Sequence, residues 1–298
     1  MRQVGVVVID EVQMIADRTR GPNLEFILTL LKAQRLLGIE PQLIALSAVI
    51  GDTNGLEGWL NARLLFAEKR PVPLDEGIVT MDGTFQYISA EGKQEIKPRY
   101  VVPEYRKGSA QDIIIPLVRQ LVGAGEKVIV FRETKPIVRA TAEYLKNGLG
   151  LGPALETLQL LPTGDPSAAS AQLRGCVEHG VAFHNTDLDR EERQAVERTF
   201  RDPDSSLKVL VATTTLAMGV NTPAWSVVIE GLDHPDGPYS VAEYKNMVGR
   251  AGRLGFTPKG KAFLVAPSPA DAYRAWNSYV LGRPESLVSR LQIKIRCR

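Results

Sequence analysis

The stretch VGVVVIDEVQMI, Val4 to Ile15, decides how this sequence is interpreted. Its first half is apolar and rich in β-branched residues, and it ends abruptly in two carboxylates, Asp10 and Glu11. A continuous run of this kind is typical of a strand that is buried on both faces of a parallel sheet. Acids at the carboxyl end of such a strand stand where open α/β sheets bind ligands, although the same pair can also simply begin a solvated loop. The stretch therefore raises the hypothesis of a magnesium–nucleotide site.

The composition is that of an ordinary globular chain and excludes few functions. Its 298 residues suggest two domains, and 44% hydrophobic and 23% charged residues suffice to bury cores without disulfide or metal support. A net charge of +2 neither requires nor excludes a nucleic-acid partner. The two cysteines show no metal-type spacing, which favours a reducing, cytoplasmic setting, and no apolar run is long enough to span a bilayer.

Short strand-like runs alternate with longer helical ones, a pattern that predicts an α/β fold with parallel sheets. We expect two lobes. Residues 1–105 would be the C-terminal part of an incomplete first lobe and would leave it through a β-hairpin that turns at Asp82-Gly83. The pattern restarts over 106–267 as a second lobe, and 268–298 would begin an accessory region or form a frayed tail. The clearest element predictions are helices over 23–37, 110–122 and 136–146 and strands over 42–46 and 128–131.

The most specific short segment is YKNMVGRAGRLG, Tyr244 to Gly255. Arg250 and Arg253 are three residues apart, so on a helical turn both side chains point to the same side. The glycines around them allow another backbone or a ligand to approach closely. Paired guanidinium groups in that setting suit a γ-phosphate and the charge that develops on it in a transition state. A solvated basic turn is the alternative, but such a turn would not need the glycines.

Two weaker segments follow other predicted strands. Leu46-Ser47-Ala48-Val49, considered alone, is more simply a small-residue turn into a helix. VLVATTTLAMGVNTPA, which begins at Val209, leads from a buried strand into three threonines and a turn that contains Gly219 and Asn221. Hydroxyls and free backbone amides in such a loop suit phosphate oxygens, and a threonine-rich helix N-cap is the alternative.

Taken in order, DEVQ, LSAV, VIVFRET, AFHNTDL, ATTTLAMGVNTPA and NMVGRAGRLG resemble the later motifs of superfamily 2 helicases. From about Val4 to Val265, the chain is most similar to the DExH-box branch that contains archaeal repair helicases and exosome-associated RNA helicases. It also shares the segment RPVPLDEG, Arg70 to Gly77, that leaves the first lobe in that branch. The resemblance implies two RecA-like lobes, ATP and Mg²⁺ as cofactors, and single-stranded DNA or RNA as the partner.

The resemblance also implies roles for individual residues. Asp10 would hold Mg²⁺ through water, and Glu11 would polarise the attacking water. Arg250 and Arg253 would act as arginine fingers. Nucleotide binding and its coupling to movement would fall on Gln13, Ser47, Gly219, Asn221, Asn246 and Gly249. Contacts with the nucleic-acid backbone would fall on Thr134 and Thr213.

Four positions depart from the pattern of the branch. Gln13 stands where His or Asp is usual, and Asn246 replaces the Gln that opens the arginine motif. Val49 replaces the Thr of Ser-Ala-Thr, which removes a hydroxyl that the family uses to couple hydrolysis to unwinding. His184-Asn185-Thr186-Asp187 replaces His-His-Ala-Gly, and we expect His184, beside an apolar strand, to be a buried structural residue.

The sequence contains no phosphate-binding loop of the form GxxxxGK[ST]. In the family that loop lies upstream of the DExH strand, and only three residues precede Val4. We therefore expect the partner lobe-1 segment to lie in a longer parent helicase, and this chain alone to have little or no ATPase activity. The competing hypothesis is a non-catalytic nucleic-acid-binding or scaffold module that derives from a helicase.

Overall fold

The computed structural model describes two compact units. The described residues are 4–17, 19–34, 36, 38–39, 41–66, 70–104, 108–164, 167–217, 222, 224–235, 237–252 and 257–289, with 215 and 217 as backbone only. The smaller unit comprises Met1–Lys69, Ser240–Ala242 and Arg283–Arg298. The larger unit comprises Arg70–Tyr239 and Glu243–Gly282.

The smaller unit contains a parallel pair of strands, β1 (Val6–Ile9) and β2 (Gln42–Ala45). A one-turn 3₁₀ helix (Val12–Ala16) and α1 (Gly21–Gln34) connect them, and the short α2 (Leu56–Leu60) follows. The predicted helix over 23–37 and strand over 42–46 are thus observed within the usual error at their ends.

Burial of the first strand differs from the prediction. Val6 and Val8 are 50% and 57% exposed, whereas the other face of β1 packs through Ile9 against a small core that contains Leu28 and Leu60. Within the described residues this sheet has two strands, and Val6 and Val8 lie exposed on one side of it. The apolar run correctly indicated a strand, but burial on both faces requires further elements.

In the described part of the chain, the larger unit has an eight-stranded sheet in the order β5-β4-β3-β12-β9-β6-β8-β7. Its strands are β3 (Leu74–Thr80), β4 (Phe85–Ile88), β5 (Gln94–Lys97), β6 (Val128–Arg132), β7 (Val181–His184), β8 (Val209–Thr213), β9 (Ser226–Glu230) and β12 (Gly260–Ala266). A small antiparallel pair, β10 (Asp233–His234) and β11 (Gly237–Pro238), stands apart from the sheet. Apart from β4 and β5, the strands of the sheet are parallel, which confirms the predicted α/β class and agrees with a RecA-like lobe.

Helices pack on this sheet and enclose its central strands. They are α3 (Gln111–Gly123), α4 (Lys135–Leu149), α5 (Leu155–Leu160), α6 (Ala168–Val177), α7 (Arg190–Arg201), α8 (Val241–Val248) and α9 (Pro269–Arg274). Local sequence determines where several of them begin: Asp189 and Glu192 form a capping box at α7, and Ser167 caps α6. The helices predicted over 110–122 and 136–146 correspond to α3 and α4. No described helix has the length and apolarity that crossing a bilayer requires.

The hairpin that was expected to leave the first lobe belongs instead to the sheet of the larger unit. β3 pairs in parallel with β12, from Gly260 opposite Leu74 to Ala266 opposite Thr80. The larger compact unit thus begins at Arg70 and includes this hairpin, and the lobe boundary at residue 105 stays a prediction. The sequence pattern predicts a hairpin correctly, but it does not say which distant strand its edge will pair with.

Part of the predicted accessory region or tail, residues 269–282, is folded into the larger unit. After α9, a π-helical turn (Ala275–Val280) packs into the core of the larger unit, where Trp276 and Tyr279 are buried. Tyr279 donates its hydroxyl hydrogen to the carbonyl oxygen of Tyr239 at 2.9 Å. This stretch is therefore an integral part of the larger unit.

Candidate functional site

The two acids that end β1 lie in a tight turn. Glu11 has a left-handed backbone (φ 55°, ψ 47°), which for a residue with a side chain costs about 1 kcal/mol or more. Val12 N–H donates to the carbonyl oxygen of Leu46 at 2.9 Å and anchors the turn to the end of β2. The parallel strands thus bring the DEVQ and LSAV segments to the same edge of the sheet.

A short chain of hydrogen bonds connects three of the predicted residues at this edge. Ser47 Oγ donates to Gln13 Oε1 at 2.6 Å, and Gln13 Nε2 donates to Glu11 Oε2. The amide of Gln13 therefore accepts on one side and donates on the other. The link between Ser47 and Glu11 thus runs through a neutral side chain.

Asp10 fits the predicted role of a water-mediated Mg²⁺ ligand. It is exposed, and its Oδ1 accepts the Glu11 N–H at 2.9 Å. Mg²⁺ retains several waters and is commonly bound by one or two carboxylates together with substrate phosphates. In the described part of the chain, no group of three or more His, Cys, Asp or Glu side chains could hold a metal directly.

The described part of the arginine motif forms a turn after α8, from Gly249 to Ala251. Asn246 lies in the last turns of this helix, and Gly249 and Arg250 follow it directly. Ala224 N–H donates to the carbonyl oxygen of Arg250 at 2.9 Å, and Gly252 N–H donates to that of Ala224 at 2.8 Å. These two hydrogen bonds attach the turn to the segment that precedes β9.

Gly252 makes this close packing possible. Its φ is +85°, and a Cβ added there would lie 2.7 Å from Val72 Cγ1 and 3.3 Å from the backbone of Gly260. A side chain would therefore be unfavourable both for the backbone conformation and for the space available. These glycines were expected to allow close approach of a backbone or a ligand, and at Gly252 the neighbour is protein.

Arg70 was quoted in the sequence analysis but given no role, and it contacts this turn directly. Its Nη2 donates to the carbonyl oxygen of Gly249 at 3.0 Å and also to that of Ala251. Burial lowers the pKa of the Arg70 guanidinium from its ordinary value, and the nearby Glu76 carboxylate opposes that shift. In the sequence, only the position of Arg70 at the start of RPVPLDEG could have drawn attention to this residue.

The two threonines that the resemblance assigned to nucleic acid follow neighbouring strands. Thr134 lies just beyond β6 and is the N-cap residue of α4, and within the described residues its side chain makes no capping hydrogen bond. Thr213 ends β8 and is 9% exposed. Because β6 and β8 pair in parallel, both residues lie at the same edge of the sheet. Thr134 is the more accessible of the two.

A charged cluster that no sequence pattern indicated lies at the same edge of the larger sheet. Arg132 pairs with Glu133 at 3.2 Å and with Glu230 at the end of β9, and it donates to Thr141 Oγ1 at 3.1 Å. Burial raises the pKa of Glu230, an effect that Arg132 opposes. The partners come from three elements, which is why no local pattern indicated the cluster.

His184 is a buried structural residue, as expected. It is 6% exposed, and its Nε2 lies 2.9 Å from Glu197 Oε1. Burial lowers its pKa, and Glu197 acts in the opposite direction. Three other predicted site residues, Gly219, Asn221 and Arg253, lie outside the described residues.

Residues 111–255 match the family described as the helicase conserved C-terminal domain. Relatives named ATP-dependent DNA helicase Hel308 include those of Pyrobaculum calidifontis, Caldivirga maquilingensis and Thermoplasma volcanium. They are 35%, 33% and 33% identical to this chain over 97%, 96% and 97% of its length.

The chain spans about two fifths of the length of these relatives, namely 40%, 37% and 39%. The similarity to these relatives extends across both structural units. The matched domain, residues 111–255, lies in the larger unit except for Ser240–Ala242. Residues 111–255 therefore belong to the helicase conserved C-terminal domain family, and the chain as a whole is similar to part of the Hel308 relatives.

Proposed function

We propose that this chain forms part of an ATP-dependent DNA helicase or translocase, in which ATP hydrolysis drives movement along a single strand. The observation that carries the proposal is the hydrogen-bond chain from Ser47 through Gln13 to Glu11 at the ends of β1 and β2. A carboxylate oriented by a neutral amide, with a second exposed carboxylate beside it, suits the activation of water for attack on a γ-phosphate. The names of the relatives favour ATP as the nucleotide and DNA over RNA.

Within this proposal each charged residue has a distinct task. Asp10 would bind Mg²⁺ through water, and Glu11 would accept a hydrogen bond from the attacking water. Bound Mg²⁺ would neutralise charge on the phosphates. Arg250 and Arg253 would stabilise negative charge on the γ-phosphoryl group. Nucleotide contacts and coupling would involve Gln13, Ser47, Gly219, Asn221, Asn246 and Gly249.

The nucleic-acid strand would lie along the sheet edge that carries Thr134 and Thr213. Hydroxyl contacts with phosphates position a strand without reading its bases. The accessible side chain of Thr134, at the N-terminus of α4, supports such a contact. Binding would accordingly be independent of sequence and would weaken as salt increases.

We further propose that the phosphate-binding loop is supplied by a lobe-1 segment upstream of this chain in a longer protein. The absence of GxxxxGK[ST] from the sequence and the two-fifths coverage of the relatives support this. The chain alone would then hydrolyse ATP poorly, because the main binding energy for the β- and γ-phosphates would be missing. A reducing, cytoplasmic setting is supported by the buried free thiol of Cys176.

The test is ATP hydrolysis stimulated by single-stranded DNA, measured on a version of the protein extended upstream by about one lobe. Glu11→Gln removes the charge but keeps the size, and we expect kcat to fall about 10²- to 10⁴-fold. Glu191→Gln, at an exposed position in α7, is the matched control and should leave kcat unchanged. An active Glu11→Gln variant would contradict the proposed role. Strand binding without hydrolysis in the unsubstituted protein would favour the non-catalytic binding module.

A further inference from the structure

Arg70 contacts the two peptide groups on either side of the predicted arginine finger. Its Nη2 donates to the carbonyl oxygens of Gly249, at 3.0 Å, and of Ala251. The residue between those two carbonyls is Arg250. One guanidinium group therefore spans the short piece of backbone from which the Arg250 side chain extends.

The same piece of backbone is held from a second side. The Arg250 carbonyl accepts the Ala224 N–H at 2.9 Å, and the Gly252 N–H donates to the Ala224 carbonyl at 2.8 Å. Each of the three successive carbonyls of the turn therefore has a donor, and two of these bonds come from the same side chain. Loss of that side chain would leave the carbonyls of Gly249 and Ala251 without this donor.

The chemistry of this contact favours arginine specifically. Arg70 is partly buried, and its planar, permanently charged fork can satisfy two acceptors at once, whereas a lysine ammonium is a compact point charge. The carbonyls lie just beyond the C-terminus of α8, where a cation is favourable to the helix dipole. Arg70 is also the first residue of the larger unit, so the contact lies where the chain enters that unit.

We propose that Arg70 is a positioning residue for ATP hydrolysis, which fixes the turn from Gly249 to Ala251 and thereby the direction of Arg250. This rests on the proposed function, because it requires Arg250 to act on the nucleotide. Arg70 acts through the backbone of the turn. Its loss should therefore reduce the rate of the chemical step more than the affinity for ATP.

The first test measures the turn itself, without any activity. Amide hydrogen exchange of Ala224 and Gly252 reports on the hydrogen bonds that hold the turn. In Arg70→Ala we expect these amides to exchange about tenfold faster or more. Arg119→Ala is the matched control, because Arg119 also donates to a backbone carbonyl, that of Gly148. Unchanged exchange in Arg70→Ala would overturn the proposal.

The second test is kinetic and uses the upstream-extended protein with single-stranded DNA. Arg70→Ala should lower kcat about 10- to 100-fold with little change in KM for ATP, and Arg70→Lys should recover only part of the loss. Arg119→Ala should behave like the unsubstituted protein. A variant that folds normally and keeps its kcat would overturn the positioning role.

A double substitution separates action through Arg250 from a general effect on stability. If Arg70 acts only through Arg250, then Arg70→Ala combined with Arg250→Ala should have the kcat of Arg250→Ala alone. Losses that multiply would contradict the proposal. If the unsubstituted protein hydrolyses no ATP, the proposed function fails, and the exchange measurement still decides whether Arg70 fixes the turn.

Discussion

Replacement of Gly252 by alanine tests the packing of the arginine turn most sharply. Two terms contribute to the expected loss of stability. The φ of +85° is unfavourable for alanine by about 1–2 kcal/mol. The new Cβ would approach Val72 Cγ1 to 2.7 Å, and overpacking of this kind costs about 1–3 kcal/mol. We therefore expect the free energy of unfolding of the larger unit to fall by about 2–5 kcal/mol.

Two other glycines of the same unit separate these terms. Gly92 has a φ of +76° and no described atom within 4 Å of an added Cβ, so Gly92→Ala should cost only the backbone term of about 1–2 kcal/mol. Gly175 lies inside α6 with the same open space and without a positive φ, so Gly175→Ala should stabilise by about 0.5–1 kcal/mol. Urea unfolding followed by circular dichroism measures the free energy of unfolding of each variant and so ranks the three. A Gly252→Ala variant no less stable than Gly92→Ala would refute the packing argument.

Four further outcomes are expected. Gln13→Glu should lower DNA-stimulated kcat of the upstream-extended protein about 100-fold, because the donor to Glu11 becomes a like charge, and Gln42→Glu is the control. Hydrogen bonds from Arg20 and Thr19 outweigh the effect of burial on Asp17 and lower its pKa to about 2. The resulting stability is present above about pH 4 and is lost as pH falls towards about 2, so the acid-induced loss measured by urea midpoints should be smaller in Asp17→Asn. Leu28→Ala, at a fully buried position, should destabilise the smaller unit by about 2–5 kcal/mol, whereas exposed Leu36→Ala should be nearly neutral in the same urea assay. Thr134→Val should weaken single-strand binding with little change in its salt dependence, whereas an unchanged Kd would remove Thr134 from the interface.

Local sequence predicted the elements that local chemistry determines. The runs Val128–Arg132 and Val209–Thr213 are buried central strands because every residue in them except the last of β6 is apolar or small enough to lie between two helical layers. Both DEVQ and LSAV follow strands, as predicted, and the parallel pairing of those strands puts the two segments at the same edge of the smaller sheet. The α/β class follows from such patterns alone.

Long-range partners could not be predicted in the same way. The hairpin after Arg70 pairs with β12, and Arg70 itself contacts Gly249 and Ala251, far along the chain. The cluster around Arg132 likewise draws partners from separate elements. Such contacts depend on which surfaces the complete fold brings together, and one sequence carries no local signal for them.

The most direct test of the account compares ATP hydrolysis by this chain and by the upstream-extended protein, each with and without single-stranded DNA and each beside its Arg253→Ala version. The account predicts DNA-stimulated hydrolysis only in the extended protein, and its loss on substitution of Arg253 by about 10³-fold or more. Hydrolysis by the 298-residue chain alone would contradict the argument from the absent phosphate-binding loop. An extended protein that binds DNA but hydrolyses no ATP would contradict the assignment of a helicase motor.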